Sequence, residues 1–210
     1  MEPCKRQLKV LLIGFGNVGR QLARILTRER QNFPGLCPLD LKFVGIIGRS
    51  KGSLVNQEKG IDLEKALEEV EAQGTFAPSN PDRVCMTGLE AAASLDYDVL
   101  IELSTLSIEN RGEPAASHIR TALERGSHAV SANKGPAAFA LTELQELARK
   151  NHCSFLYETT VMDGAPVFNM ARCSLKGCTI QGIDGILNST TNYILTRMEE
   201  GQTLDGAVRE

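Results

Sequence analysis

The sequence predicts an α/β fold built on a doubly wound parallel sheet, and three observations carry that expectation. Uninterrupted apolar runs recur at LKVLLIG (8–14), LKFVGIIG (41–48) and YDVLIEL (97–103), as strands covered on both faces require. Stretches with helical spacing of apolar residues separate them. The first run ends in three closely spaced glycines, Gly14, Gly16 and Gly19. Strands that alternate with helices pair in parallel through right-handed crossovers.

Taken in order, the strand at 8–14 leads into a helix over 17–30, whose apolar stripe is Val18, Leu22, Ile25 and Leu26. The strand at 41–48 follows, then an acidic, exposed helix over 62–73 with Asp62 as its N-cap. The strand at 97–103 precedes a helix over 113–125 with Pro114 in its first turn. Gly126 is placed to end that helix, and SHAVSA (127–132) is a short strand. A helix over 136–150 and the strand CSFLYE (153–158) complete the series. From Val161 the texture changes: DGAPVFNMARCSL suggests a connecting helix, GCTIQGIDGILN an extended segment and TTNYILTRMEEG another helix. Residues 1–160 are therefore expected to form the first domain. Residues 161–210 are expected to begin an α+β substrate and dimerisation domain.

Composition narrows the function. A net charge of −3 over 210 residues lacks the basic footprint of a nucleic-acid binder. No apolar run approaches the ~20 residues of a membrane span. Met1–Lys9 offers no apolar stretch of a secretory leader. The six cysteines, Cys4, Cys37, Cys85, Cys153, Cys173 and Cys178, include no C-x-x-C pair. They read as reduced, mostly buried thiols of a cytoplasmic protein. His118, His128 and His152 have no ligand-like spacing with them, which argues against zinc.

Gly14-Phe15-Gly16-Asn17-Val18-Gly19 matches G-x-G-x-x-G between a strand and a helix. In that setting the first glycine makes the tight turn and the second lets a pyrophosphate approach the backbone. The third lets the helix pack closely, and the helix N-terminus supplies N–H donors. This is the signature of a Rossmann-type dinucleotide site. An acid at the end of the second strand would favour NAD. Here that strand runs into Arg49, Ser50 and Lys51, two cations and a hydroxyl that suit a 2′-phosphate. A solvated basic turn is the alternative. NADP(H) is thus expected in preference to NAD(H). Ser104 and Thr105 end the third strand and Asn133 and Lys134 end the fourth, all on the edge where open α/β sheets bind ligands.

With these motifs in place, GFGNVGR, ELSTLS, GEPAASHIRTALERG, SANKGP, YETTVMDGAPV and GILNSTTNYILTRM together resemble the N-terminal part of homoserine dehydrogenase. Members of that family interconvert L-aspartate 4-semialdehyde and L-homoserine with NAD(P)(H), on the route to threonine, methionine and isoleucine. The resemblance implies that the glycine turn, Arg49, Ser104, Thr105 and Lys134 meet the nucleotide and that Lys134 reaches the reacting centre. It implies a sodium ion held by Glu158 and the carbonyls of Val161, Asp163 and Ala165. It implies an amino-acid pocket containing Asn188, Ser189 and Thr190, although the family usually has glycine where Ser189 stands. A catalytic Asp–Lys pair is expected beyond residue 210, and full-length relatives are expected to be homodimers. A non-catalytic NADP-binding module and a different amino-acid or semialdehyde dehydrogenase are the competing readings.

Overall fold

The computed structural model describes residues 7–29, 32 and 40–210. Cys4 and Cys37 lie outside the described residues, as does the expected end of the first helix at residue 30. The chain divides into two compact units, one reaching to Tyr157 and the other Glu158–Glu210.

The first unit is a seven-stranded sheet. Its strands are β1 (Leu8–Ile13), β2 (Leu41–Gly48), β3 (Gly52–Val55), β4 (Arg83–Val84), β5 (Val99–Glu102), β6 (His128–Ser131) and β7 (Phe155–Leu156), in the order β4-β3-β2-β1-β5-β6-β7. The run β2-β1-β5-β6-β7 is parallel. The expectation of a wholly parallel sheet is corrected at one edge, where β3 pairs antiparallel with β2, and β4 with β3. The reason is length: only Arg49, Ser50 and Lys51 join β2 to β3. Three residues close a hairpin, whereas a parallel return needs a crossover of a dozen or more.

The helices of this unit are α1 (Asn17–Thr27), α2 (Leu63–Gln73), α3 (Gly88–Ser94), α4 (Ala115–Glu124), α5 (Lys134–Phe139) and α6 (Leu141–Lys150). Ala23 of α1 and Ala66 and Val70 of α2 close one face of the sheet over Val10, Leu12, Phe43 and Ile46. Asp62 caps α2, its carboxylate accepting from the Glu64 and Lys65 N–H groups. The expectation that α2 is exposed holds for its acidic side only, because Ala66, Leu67 and Val70 are buried. On the other face α3 and α4 pack together, and α4 lies on β5 and β6.

Two local departures have simple causes. The helix expected over 136–150 begins at Lys134, with Asn133 as its cap, and breaks at Ala140 (φ −134°, ψ 15°). Pro136 is tolerated because it stands in the first turn of α5, where its missing N–H has no intrahelical acceptor to lose. Among the described residues the thiols are less buried than expected: Cys85, Cys173 and Cys178 are exposed, and Cys153 is partly covered. Burial raises the Cys153 thiol above its ordinary pKa.

In the second unit a 3₁₀ turn (Glu158–Thr160) is followed by α7 (Val167–Asn169), which runs into a π-helical turn over Met170–Ser174. The segment 177–188, expected to be extended, joins no strand ladder among the described residues. It leads to α8 (Ser189–Glu199) and α9 (Leu204–Arg209). Arg197 of α8 donates to Glu200 at 2.8 Å and to Glu210 at 3.1 Å. No helix among the described residues is long and apolar enough to cross a membrane.

Helices α1 and α2 are tied by Arg24 to Glu71 (2.7 Å) and Arg28 to Glu64 (2.5 Å). The Arg24 hydrogen bond holds the Glu71 carboxyl below its ordinary pKa. A carboxylate whose folded pKa is lowered stabilises the fold above its unfolded value and loses that contribution as pH falls through the folded one. Urea melts of the wild type and Glu71→Gln should therefore differ at neutral pH and converge in acid as the Glu71 carboxyl takes up its proton. A difference that persists in acid would mean that charge pairing is not what Glu71 supplies.

Candidate functional site

The site grows from the carboxyl ends of β1 and β5, neighbouring strands whose chains then leave in opposite directions. Gly14 has φ +103°, and a Cβ there would lie 2.4 Å from the Leu103 carbonyl carbon and oxygen and 2.7 Å from the Ser104 nitrogen. Gly19 packs against the same turn, where a Cβ would stand 2.4 Å from the Gly14 oxygen. These two glycines are required by the protein itself. Gly16 is not: it is exposed, and a Cβ there meets no atom within 4 Å. It caps α1 without any side-chain hydrogen bond, so the first N–H groups of that helix remain available to an external acceptor. An open glycine before uncapped N–H donors is what an approaching pyrophosphate needs.

Beside this turn is a cavity of about 220 Å³. Val18 of α1 lines it, with Leu103, Ser104 and Leu106 after β5 and Ala132, Asn133 and Lys134 after β6. The structure thus brings together the glycine turn, Ser104, Asn133 and Lys134. Val18, expected on the buried stripe of α1, is 55% exposed and forms a wall of this cavity instead. Thr105 is exposed next to Ser104. Phe15 is fully buried and packs against Phe76 with ring centroids 5.4 Å apart, so its side chain belongs to the core and does not line the cavity. Asn17 accepts from the Arg20 guanidinium at 2.8 Å.

Arg49, Ser50 and Lys51 form the β2–β3 hairpin turn, at the same carboxyl edge of the sheet as the glycine turn. Arg49 and Ser50 are exposed and Lys51 is half-buried. The Lys51 carbonyl accepts from the Phe76 N–H at 2.9 Å, and Phe76 packs on Phe15. One aromatic contact therefore joins the glycine turn to the basic turn.

Sequence reasoning missed the polar groups under the cavity. Glu102, the last residue of β5, is completely buried, and its Oε1 accepts from the Ser104 N–H at 3.3 Å. His118 of α4, also buried, places Nδ1 3.5 Å from the same oxygen. Among the described residues, Glu102 Oε2 and Ser104 Oγ are buried without a hydrogen-bond partner. The signal was a glutamate inside the apolar run YDVLIEL. Its partner stands sixteen residues away on a helix and had no local mark. A larger, shallower depression of about 550 Å³ over Glu109, Asn110, Arg111, Glu113 and Pro114 holds none of the expected residues.

In the second unit, Glu158 Oε1 accepts from the Phe168 and Asn169 N–H groups at 2.9 and 3.2 Å. The Ala165 carbonyl accepts from Val167 N–H at 2.9 Å. Val161 is half-buried and Asp163 exposed. Asn188 is the N-cap of α8, accepting from Thr191 N–H at 2.9 Å, and Ser189 and Thr190 open that helix on its exposed surface.

A doubly wound sheet with a glycine-rich turn and an adjoining cavity at its switch point defines a Rossmann-type dinucleotide-binding domain. Residues 14–158 match the family described as homoserine dehydrogenase, NAD binding domain, and residues 166–210 match the family described as homoserine dehydrogenase. The chain belongs to the homoserine dehydrogenase family. It is 37% identical over 204 residues to the NAD(+)-dependent homoserine dehydrogenase of Pseudomonas canavaninivorans, covering 97% of this chain and 57% of that protein. It is 34% identical to homoserine dehydrogenase of Methanocaldococcus jannaschii, covering 97% and 60%. A hyperthermophilic archaeal homoserine dehydrogenase solved in complex with NADPH superposes with a TM-score of 0.79 at 30% identity, over 97% of this chain and 60% of that one. The chain thus spans somewhat under two thirds of the length of these relatives.

The glycines give a direct test of this geometry. Gly14→Ala forces a Cβ into the Leu103–Ser104 backbone at positive φ and should cost about 3 kcal/mol or more. Gly16→Ala, in open space, should cost no more than about 1 kcal/mol. Chemical denaturation of both variants measures the contrast. Equal losses would show that Gly14 is not held against β5.

Proposed function

We propose that the chain forms the nucleotide half of a homoserine dehydrogenase, binding NADP(H) in preference to NAD(H) and serving the interconversion of L-aspartate 4-semialdehyde and L-homoserine. The observation that carries this reading is Gly16, a glycine whose Cβ would meet nothing among the described residues, two positions before Val18, which lines a cavity together with Ser104 and Lys134. The Gly14–Gly19 turn and the α1 N–H groups would receive the pyrophosphate. Arg49, Ser50 and Lys51 would receive the 2′-phosphate, and Ser104, Thr105 and Asn133 would border the nicotinamide. The unpartnered Ser104 hydroxyl and the open space over Gly16 fit a dinucleotide; once bound, it supplies or accepts the hydride at the substrate carbon.

Lys134, exposed at the start of α5, would place its ammonium against the substrate oxygen and lower the cost of the negative charge that develops there. Asn188, Ser189 and Thr190 would contribute to the amino-acid pocket. Glu158 and the carbonyls of Val161, Asp163 and Ala165 would supply an all-oxygen set of the kind that suits a hard cation such as sodium. Glu158 would use the carboxylate oxygen that does not cap α7.

Affinity for the two nucleotides tests the cofactor assignment. NADPH should bind more tightly than NADH, and Arg49→Ala should remove most of the difference, about 1.5–3 kcal/mol for one charge-assisted contact. Equal affinities in titration calorimetry would sink it. In turnover, Lys134→Met should reduce homoserine-dependent NADP⁺ reduction by roughly 10²–10⁴-fold. Nucleotide affinity should change much less. An undiminished rate, read at the reduced-nicotinamide absorbance band, would remove Lys134 from the chemistry.

A further inference from the structure

We propose that Asn133 is a positioning residue, a bracket that fixes Ser104 and Lys134 relative to each other across the cavity, and that Glu102 completes the hold on Ser104. The inference rests on the nucleotide reading of the cavity but gives Asn133 and Glu102 a further role, holding in place the groups that line it. Asn133 is 5% exposed. Its Oδ1 accepts from Gly135 N–H at 3.0 Å, capping the helix that Lys134 begins, and its Nδ2 donates to the Ser104 carbonyl at 3.1 Å. Only this orientation of the amide satisfies both neighbours, since the reverse would set donor against donor and acceptor against acceptor.

The bracket is itself held. The Asn133 N–H donates to Ser131 Oγ at 3.0 Å. That hydroxyl is within reach of the carbonyls of Asn133 and Glu102, at 3.3 and 3.4 Å. Ser104 is pinned from the other side, where Glu102 Oε1 receives its N–H at 3.3 Å. Both backbone polar groups of Ser104 are thereby bonded to buried side chains, one from the end of β5 and one from the β6 exit. Its hydroxyl has no hydrogen-bond partner among the described residues. The same amide that sets Ser104 also sets the first turn of α5, so the distance between the Ser104 hydroxyl and the root of Lys134 is governed by one planar group. Gly112 and Gly135 add a backbone contact on the far side, where a Cβ on either would meet the other at 2.7 Å.

Two substitutions separate capping from bridging. Asn133→Asp and Asn133→Ser both retain a capping acceptor. The carboxylate has no proton to donate to the Ser104 carbonyl. The serine hydroxyl, one atom closer to the backbone than the amide nitrogen, is too short to reach that carbonyl while it caps Gly135, and adds no charge. Amide hydrogen exchange of the nucleotide-free chain decides the bracket. In both variants the Ser104 amide should exchange about tenfold faster or more, while Gly135 stays protected and unfolding stays cooperative. Unchanged exchange at Ser104 in both would overturn the proposal. NADPH titration gives the functional arm. In Asn133→Ser the dissociation constant should rise roughly fivefold or more for the lost hydrogen bond. Wild-type affinity in a variant whose Ser104 exchange has quickened would overturn the positioning role. Failure of the wild type to bind would instead reject the nucleotide reading, with the exchange result still deciding whether Asn133 holds Ser104.

Discussion

Gly14 lies against the peptide that joins Leu103 to Ser104, and the position of almost every group in the site follows from that contact. The two strand ends are stitched by hydrogen bonds, from Leu103 N–H to the Ile13 carbonyl at 2.7 Å and from Gly14 N–H to the Ile47 carbonyl at 2.8 Å. Three parallel strands thus end in register, with no side chain between β1 and β5 to hold them apart. Because Gly14 turns at positive φ, the chain reverses within the reach of Gly19, and α1 starts directly over the strand ends. The positive end of that helix and the cavity beside Ser104 are consequences of one backbone approach that any β-carbon would block.

Around that contact the molecule places its polar groups on a buried apolar frame. Phe15 and Phe76 pack together under the glycine turn, and the Phe76 N–H holds Lys51 in the hairpin turn. Arg83 donates to the Phe76 carbonyl at 2.6 Å, which fixes the same residue from the other side. The glycine turn and the basic turn are therefore supported by a single aromatic pair. On the opposite face of the sheet, Glu102 and His118 put a buried carboxylate and an imidazole behind Ser104. A buried carboxylate is costly unless its oxygens find donors, so its retention at the strand end marks a place where geometry, not packing, is being held.

Much of this was legible in the sequence because it is written in local periodicity. The strands β1, β2 and β5 stand out as unbroken apolar runs, and the two-sided burial they imply is what the parallel part of the sheet provides. The Gly14–Gly19 motif was readable for the same reason, as a turn with a strand before it and a helix after. What escaped depends on contacts between distant residues. The β3–β4 edge rests on a four-residue and a two-residue strand, too short for alternation to show. The break at Ala140 has neither proline nor glycine to announce it. Val18 has helical spacing with Leu22, yet it lies in the first turn of α1, beyond the sheet, and faces the cavity. Asn133 was legible as a polar strand-end residue, but not as a bracket, because Ser104 is 29 positions away.

The central claim is that the strand-end contact between Gly14 and Ser104 builds a nucleotide site. Mapping amide chemical shifts of the isotope-labelled chain during addition of NADPH tests it most directly. The account requires the largest shifts at Gly14–Gly19, at Ser104–Leu106 and at Lys134–Gly135, with α6 and the loop over Glu109–Glu113 nearly still. Shifts concentrated over Glu109–Glu113, or scattered without focus on the carboxyl ends of β1 and β5, would contradict it.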